Sequence, residues 1–195
     1  NFIDKGQEFL LVASTQGTFI VDKNQKVSKI SAYDPNVLYQ SPKDPNRVFV
    51  GLYPGLASIY YENGKWKDEP KMEQIKEKIF RIAMDKDSSF WLGTNQPPQG
   101  VINLVINRYQ KQLTSTQILR YDTTNGLPKQ FIYPENGVNG ITFTTTEGIY
   151  EFSKDSSKFV QNSFYSTSFA DGSRGIHRFQ LDNMGNVCFF SIIPE

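Results

Sequence analysis

Apolar and polar positions alternate along this chain in short runs, and four segments share one layout: an apolar run, a brief polar stretch, a glycine, then a second apolar run. They are LLVASTQGTFIV, FVGLYPGLASIYY, WLGTNQPPQGVINLVI and ITFTTTEGIYEF. Each reads as a β-hairpin, because runs of this length rich in β-branched and aromatic residues suit strands, and the glycine marks the turn. The turn glycines Gly17, Gly55, Gly100 and Gly148 are spaced by 38, 45 and 48 residues. A second register agrees. RIAMDKDSSFWLGT, starting at Arg81, lies without a gap over RFQLDNMGNVCFFS, starting at Arg178, at an offset of 97. Only Arg81/Arg178 and Asp85/Asp182 are identical, while apolar class is kept at Ile82/Phe179, Met84/Leu181, Phe90/Val187 and Leu92/Phe189.

Periods of about 40 to 50 residues made of four short strands are the signature of a β-propeller blade. The expected fold class is therefore all-β, a propeller of four-stranded antiparallel blades, with about four to five blades in an incomplete propeller. The repeats fall near 8–31, 34–72, 79–123, 129–169 and 175–195. In the third, strands are expected at Phe80 to Met84, Phe90 to Gly93, Val101 to Ile106 and Gln117 to Tyr121. Asp85 and Asp182 open the first turn of their repeats, where a carboxylate can accept from backbone N–H groups two residues on. The hairpin glycines are expected to supply a positive φ. One segment departs from the pattern: Met72, Ile75, Ile79 and Ile82 are spaced as on a helix, so a turn or two of helix is expected before Phe80.

Composition narrows the function. The 195 residues carry 21 Lys and Arg against 20 Asp and Glu, a net charge of +1, which provides no field to gather nucleic acid or an anionic bilayer. The longest apolar run, Phe9 to Ala13, is far short of the roughly 20 residues of a membrane span. A single cysteine, Cys188, allows neither an internal disulfide nor a Cys-based zinc cluster. The start at Asn-Phe-Ile reads as a cut from a longer protein.

Candidate chemistry is sparse. The only histidine, His177, falls at the position of Phe80 in the repeat, at the start of a first strand; it reads as a half-buried strand residue or as a ligand contact or general base. Asp85, Asp87 and the LDNMGN turn lack the alternating order of a calcium loop and read as turn caps. No strand-to-helix glycine loop is present for a nucleotide phosphate. Metal sites, catalytic residues and cofactors are expected to be none. Most aromatics, Trp91, Phe143 and Phe152 among them, are expected to pack sheet against sheet.

MDKDSSFWLGT, QGVINL and YDTTNGLP, within residues 84–128, resemble the two-component regulator propeller repeat, with Trp91, Gly93, Thr94, Asp122, Gly126, Leu127 and Pro128 in the family's positions. TTTEGIYEF and LDNMGNVCFF match in part; Phe190 and Cys188 stand where that family has Gly and Trp. The resemblance implies a non-enzymatic ligand-sensing domain of a bacterial hybrid two-component sensor kinase, periplasmic or extracellular, in a homodimeric parent receptor, recognising a small molecule or oligosaccharide. Two alternatives stay open: a propeller hydrolase or lyase using His177 with a nearby carboxylate, and a protein-interaction platform. Strand direction places the turns between second and third strands at the same end as the connections between blades. On that end the expected ligand contacts are Tyr33, Tyr53, Asn95, Gln96 and Arg174.

Overall fold

The computed structural model describes residues 2–4, 7–94, 100–107, 114–182 and 184–193. Within them the chain forms eighteen β-strands and two short 3-10 turns. The first sheet holds β1 (Phe2–Asp4), β2 (Gln7–Ser14), β3 (Gly17–Val21) and β4 (Val27–Ser31) in chain order. The second holds β5 (Val37–Ser41), β6 (Asp44–Leu52), β7 (Gly55–Glu62) and β8 (Lys65–Glu69). The third is β9 (Ile79–Met84), β10 (Phe90–Thr94), β11 (Gly100–Asn107) and β12 (Thr114–Tyr121). The fourth is β13 (Tyr133–Asn136), β14 (Ile141–Thr145), β15 (Gly148–Ser153) and β16 (Lys158–Gln161). A fifth, two-stranded sheet pairs β17 (Gly175–Leu181) with β18 (Val187–Ile192).

Every sheet is a meander, and burial within it follows position. Val48–Leu52, Gly55–Ile59 and all of β10 are buried on both faces, which is why these stretches read as unbroken apolar runs rather than as alternation. Fourth strands show one covered face or none: β8 and β12 leave most side chains in solvent.

By contacts the chain divides into two units, residues 1–80 with 106–115, and residues 81–105 with 116–195. In the first unit Val48, Val50, Leu52, Ala57 and Ile59 form a core against which Leu11, Ile30, Tyr33, Leu38 and Trp66 pack. Beside it, the Arg47 guanidinium bonds Asp44 at 3.1 Å, pairs with Glu69 and lies over the Tyr60 ring. The second unit is built on aromatics. Trp91 is 4% exposed and shares a core with Val101, Leu127, Ile132, Phe143, Tyr150 and Phe159; the Phe143 and Phe159 rings meet it edge-on at 5.0 and 5.9 Å.

YDTTNGLP serves this core. Asp122 caps the 3-10 turn Thr123–Asn125 through a reciprocal capping box, and Gly126 leaves it with φ +91°. A Cβ on Gly126 would come within 2.6 Å of the Phe159 carbonyl oxygen, so both conformation and space call for glycine. Leu127 is thereby delivered into the Trp91 core. Gly93 works by space alone: a Cβ there would meet the Ile132 carbonyl oxygen at 2.9 Å, Pro134 at 3.0 Å and Arg81 at 3.1 Å.

Four expectations change on the structure. Residues 71–78 form no helix: Met72 and Ile75 are buried in an irregular connection whose backbone bonds to Leu56 and Gly55. Three of the hairpin glycines do have positive φ, 127° at Gly17, 112° at Gly55 and 107° at Gly148, whereas Gly100 does not. Gly100 is required instead because a Cβ would lie 2.0 Å from the Tyr121 carbonyl oxygen. Asp182 accepts from the N–H groups of Met184 and Asn186, as a turn aspartate should, but Asp85 accepts from Lys86 and leaves the i+2 bond to Asp87, which accepts from Ser89. Phe90 to Thr94 and Val187 to Ser191 are both second strands, yet the former is buried throughout and the latter largely exposed, because no third strand covers β18 among the described residues.

Candidate functional site

A concavity of the second unit lies where the turn after β9 meets the turns of the fourth sheet. It is a cleft of about 360 Å³ bordered by Asp85, Asp87, Asn139, Phe152, Lys154 and Phe164. A second hollow of about 310 Å³ shares Asp85, Asp87, Trp91, Phe152 and Lys154 with it and runs toward Gln117 and Tyr121. The floor is the edge of the aromatic core, with Phe152 half-buried and 5.3 Å from Trp91.

Its polar rim is held in place by short-range bonds. Asp87 accepts from the Ser89 N–H at 2.9 Å and from the Ser89 hydroxyl at 2.7 Å, and the Lys154 ammonium stands 3.6 Å away. Partial burial works against the Asp87 charge, but the Ser89 bonds and Lys154 outweigh it, so the carboxyl is held below its usual range. The Glu151 carboxylate accepts from the Asn162 amide at 3.0 Å, and the Tyr165 hydroxyl accepts from the Val138 N–H at 3.1 Å. The rim thus carries acidic and basic side chains together.

A second group of polar residues spans the first strands β9, β13 and β17. Arg81 Nε lies 2.9 Å from Glu135 Oε1, and the guanidinium stands 5.7 Å over the Tyr133 ring. His177 meets Tyr133 edge-on, centroids 6.2 Å apart. Burial drives the Glu135 carboxyl up to about 7 even though Arg81 opposes the shift.

Of the residues expected as ligand contacts, Tyr33, Tyr53 and Arg174 do not line this cleft. Tyr33, in the first unit, is half-buried and donates its hydroxyl to the Glu69 carbonyl at 2.6 Å; burial first, then the Asp68 and Glu69 charges, push its pKa up and disfavour the phenolate. Tyr53, in the hairpin after β6, is 63% exposed with Lys78 5.1 Å over its ring. Arg174, in the second unit, is half-buried just before β17, with Asp171 as a charged neighbour. Asn95 and Gln96 lie outside the described residues. Of the cleft-lining residues, Asp85, Asp87, Trp91, Phe143 and Phe152 stood out in the sequence as turn caps or packing aromatics. The convergence of two turns, Asp85–Ser89 and Lys154–Ser157, has no local signal.

Neither a family model nor a curated protein matches the sequence. Among solved structures the chain is similar to selenomethionine-substituted virginiamycin B lyase from Staphylococcus aureus, with a TM-score of 0.60 at 14% identity. The match covers 99% of this chain and 62% of that one, so the chain spans under two thirds of the length of its structural neighbour. The likeness shows the fold, a β-propeller. It does not carry the two-component repeat resemblance beyond that level. The expectation of a non-enzymatic domain is corrected: the propeller it matches belongs to an enzyme, so this architecture gives no ground for excluding activity.

Proposed function

We propose that the chain is the ligand-recognising part of a larger periplasmic propeller receptor of the two-component type, and that the cleft of the second unit takes a short, uncharged or weakly anionic oligosaccharide. One observation carries this reading: an apolar aromatic floor lies beneath a rim that offers both signs of charge at once. Hydroxyl groups donate and accept together, so a saccharide can use Asp87 and Lys154 simultaneously, whereas a strongly charged ligand is opposed by one of them. A volume near 360 Å³ falls within the ordinary range for small-ligand pockets.

Titration calorimetry with maltose, cellobiose and xylobiose tests the site. Binding in the micromolar to millimolar range is expected, weakened at least tenfold by Asp87→Asn combined with Lys154→Ala, with the unfolding midpoint kept. If instead Asn95→Ala with Gln96→Ala abolishes binding and the cleft pair does not, recognition belongs to the loop end first expected from the sequence. No binding by any neutral disaccharide removes the saccharide reading.

A lyase or hydrolase is the second reading, and Glu135 favours it: a buried carboxyl titrating near neutrality is suited to proton transfer, and Tyr133, two residues before it on β13, meets His177 edge-on. Turnover lost in both His177→Ala and Glu135→Gln would establish it.

A further inference from the structure

Buried polar side chains in folded proteins nearly always find hydrogen-bond partners, so those that do not call for an explanation. Among the described residues, three buried side-chain atoms lack one: Arg81 Nε, Glu135 Oε1 and Thr144 Oγ1. All three surround one ring. Thr144 is directly opposite Tyr133 in the β13–β14 ladder, Glu135 is two residues along the same strand face, and Arg81 stands over the ring itself. Arg81 and Glu135 are ion-paired at 2.9 Å, but beyond this one contact neither Nε nor Oε1 has a polar partner. The guanidinium side chain remains 36% exposed while Glu135 is only 15% exposed, so the cation can be reached from solvent and its partner hardly at all.

We propose that Arg81 anchors a second binding site, one that takes a small oxyanion, a carboxylate or phosphate group, beside Tyr133 and His177. Guanidinium is the side chain best shaped for this work, since its planar fork can hold two oxygens of one anion, and a cation–π contact with Tyr133 helps to hold it at this place. Glu135 is then a competitor for the cation rather than its committed partner. Its burial makes the charged form costly, so the carboxylate neutralises Arg81 incompletely, and an incoming anion meets a cation that is only partly satisfied. His177, on β17, supplies a further polar group against the same ring. This inference does not rest on the saccharide reading and uses none of the residues that border the cleft.

His177 is the only histidine in the sequence, so its imidazole C–H resonances report this locus directly. At fixed pH and ionic strength, with chloride as the control salt, titration with inorganic phosphate and with acetate is expected to move those resonances saturably. The anion that acts more strongly identifies the group, phosphate or carboxylate. Arg81→Ala should abolish the shift. Arg81→Lys, which keeps the charge but loses the fork, should weaken binding several-fold, and it serves alone if Arg81→Ala does not fold. Glu135→Gln, which removes the competitor, should tighten binding several-fold. The proposal is overturned by a shift that survives in Arg81→Ala, by weaker binding in Glu135→Gln, or by no saturable shift with either anion in both wild type and Glu135→Gln. A negative result here leaves disaccharide binding in the cleft unaffected, and the reverse also holds.

Discussion

Individual side chains in the second unit divide into those that hold it together and those that remain poised. Trp91 is of the first kind: it is nearly inaccessible and touches four aromatic rings, Tyr121, Phe143, Phe152 and Phe159. Trp91→Ala is expected to cost about 3 to 5 kcal/mol, because the indole leaves a cavity that neighbouring sheets cannot fill; urea unfolding of the two proteins measures it. Glu135 is of the second kind. Its carboxyl is raised from the ordinary 4.5 to about 7 in the folded chain, so folding favours the protonated form. That contribution is complete below about pH 4.5 and is lost as pH rises through 7, a change of up to about 3 kcal/mol. Glu135→Gln should therefore unfold at a urea midpoint that varies less between pH 4.5 and 8 than that of wild type. A wild-type midpoint that instead rises over this interval would contradict the burial argument.

At the scale of strands and turns, much was legible because hairpins are local. The expected strands of the third repeat differ from β9 to β12 by at most three residues at any end, and apolar runs bounded by turn residues were enough to find them. The segment 71–78 failed for an instructive reason. Met72, Ile75 and Ile79 have helical spacing, but Met72 and Ile75 are buried in an irregular connection and Ile79 opens β9, so spacing alone misidentified the period. Gly100 was found for the wrong cause, since sequence suggests a conformational need while the nearby Tyr121 carbonyl imposes a spatial one. The cleft was illegible because it forms from turns far apart in the chain, and Arg81, Glu135 and His177 share no motif. Capping gives a clean test at this scale. Asp122→Ala removes the side-chain half of the box at the 3-10 turn, leaving the Asp122 N–H bonded to Asn125, and should destabilise by about 1 kcal/mol, whereas Gly100→Ala, with backbone in the way, should cost at least about 2 kcal/mol. Thermal melts of the pair rank the two effects.

For the molecule as a whole, the sheets are unequal. The second and third sheets bury much of their central strands on both faces, while β17 and β18 form only a pair among the described residues, with Phe190 and Ile192 mostly exposed. Two-stranded sheets are marginal by themselves. Amides of β18 should therefore exchange with deuterated solvent at least about tenfold faster than those of β10 and β11, read by mass spectrometry of peptides from each strand. Uniform protection across all three strands would show that β18 is stabilised by more than its ladder with β17.

Gly93 acts beyond its own strand. By having no side chain it lets the backbone at Ile132 and Pro134 come down onto β10, and the same closeness brings Glu135, one residue further, against Arg81. The missing methyl group is thus a gauge: it sets a gap between two sheets, and the gap sets how strongly a buried acid feels a cation. Gly93→Ala should force β13 outward by a few tenths of an ångström, loosen the charge contact and move the titration of Glu135 further up the pH scale. A residue with no charge, no proton to give and no exposed surface would then govern the acidity of one that has all the chemistry.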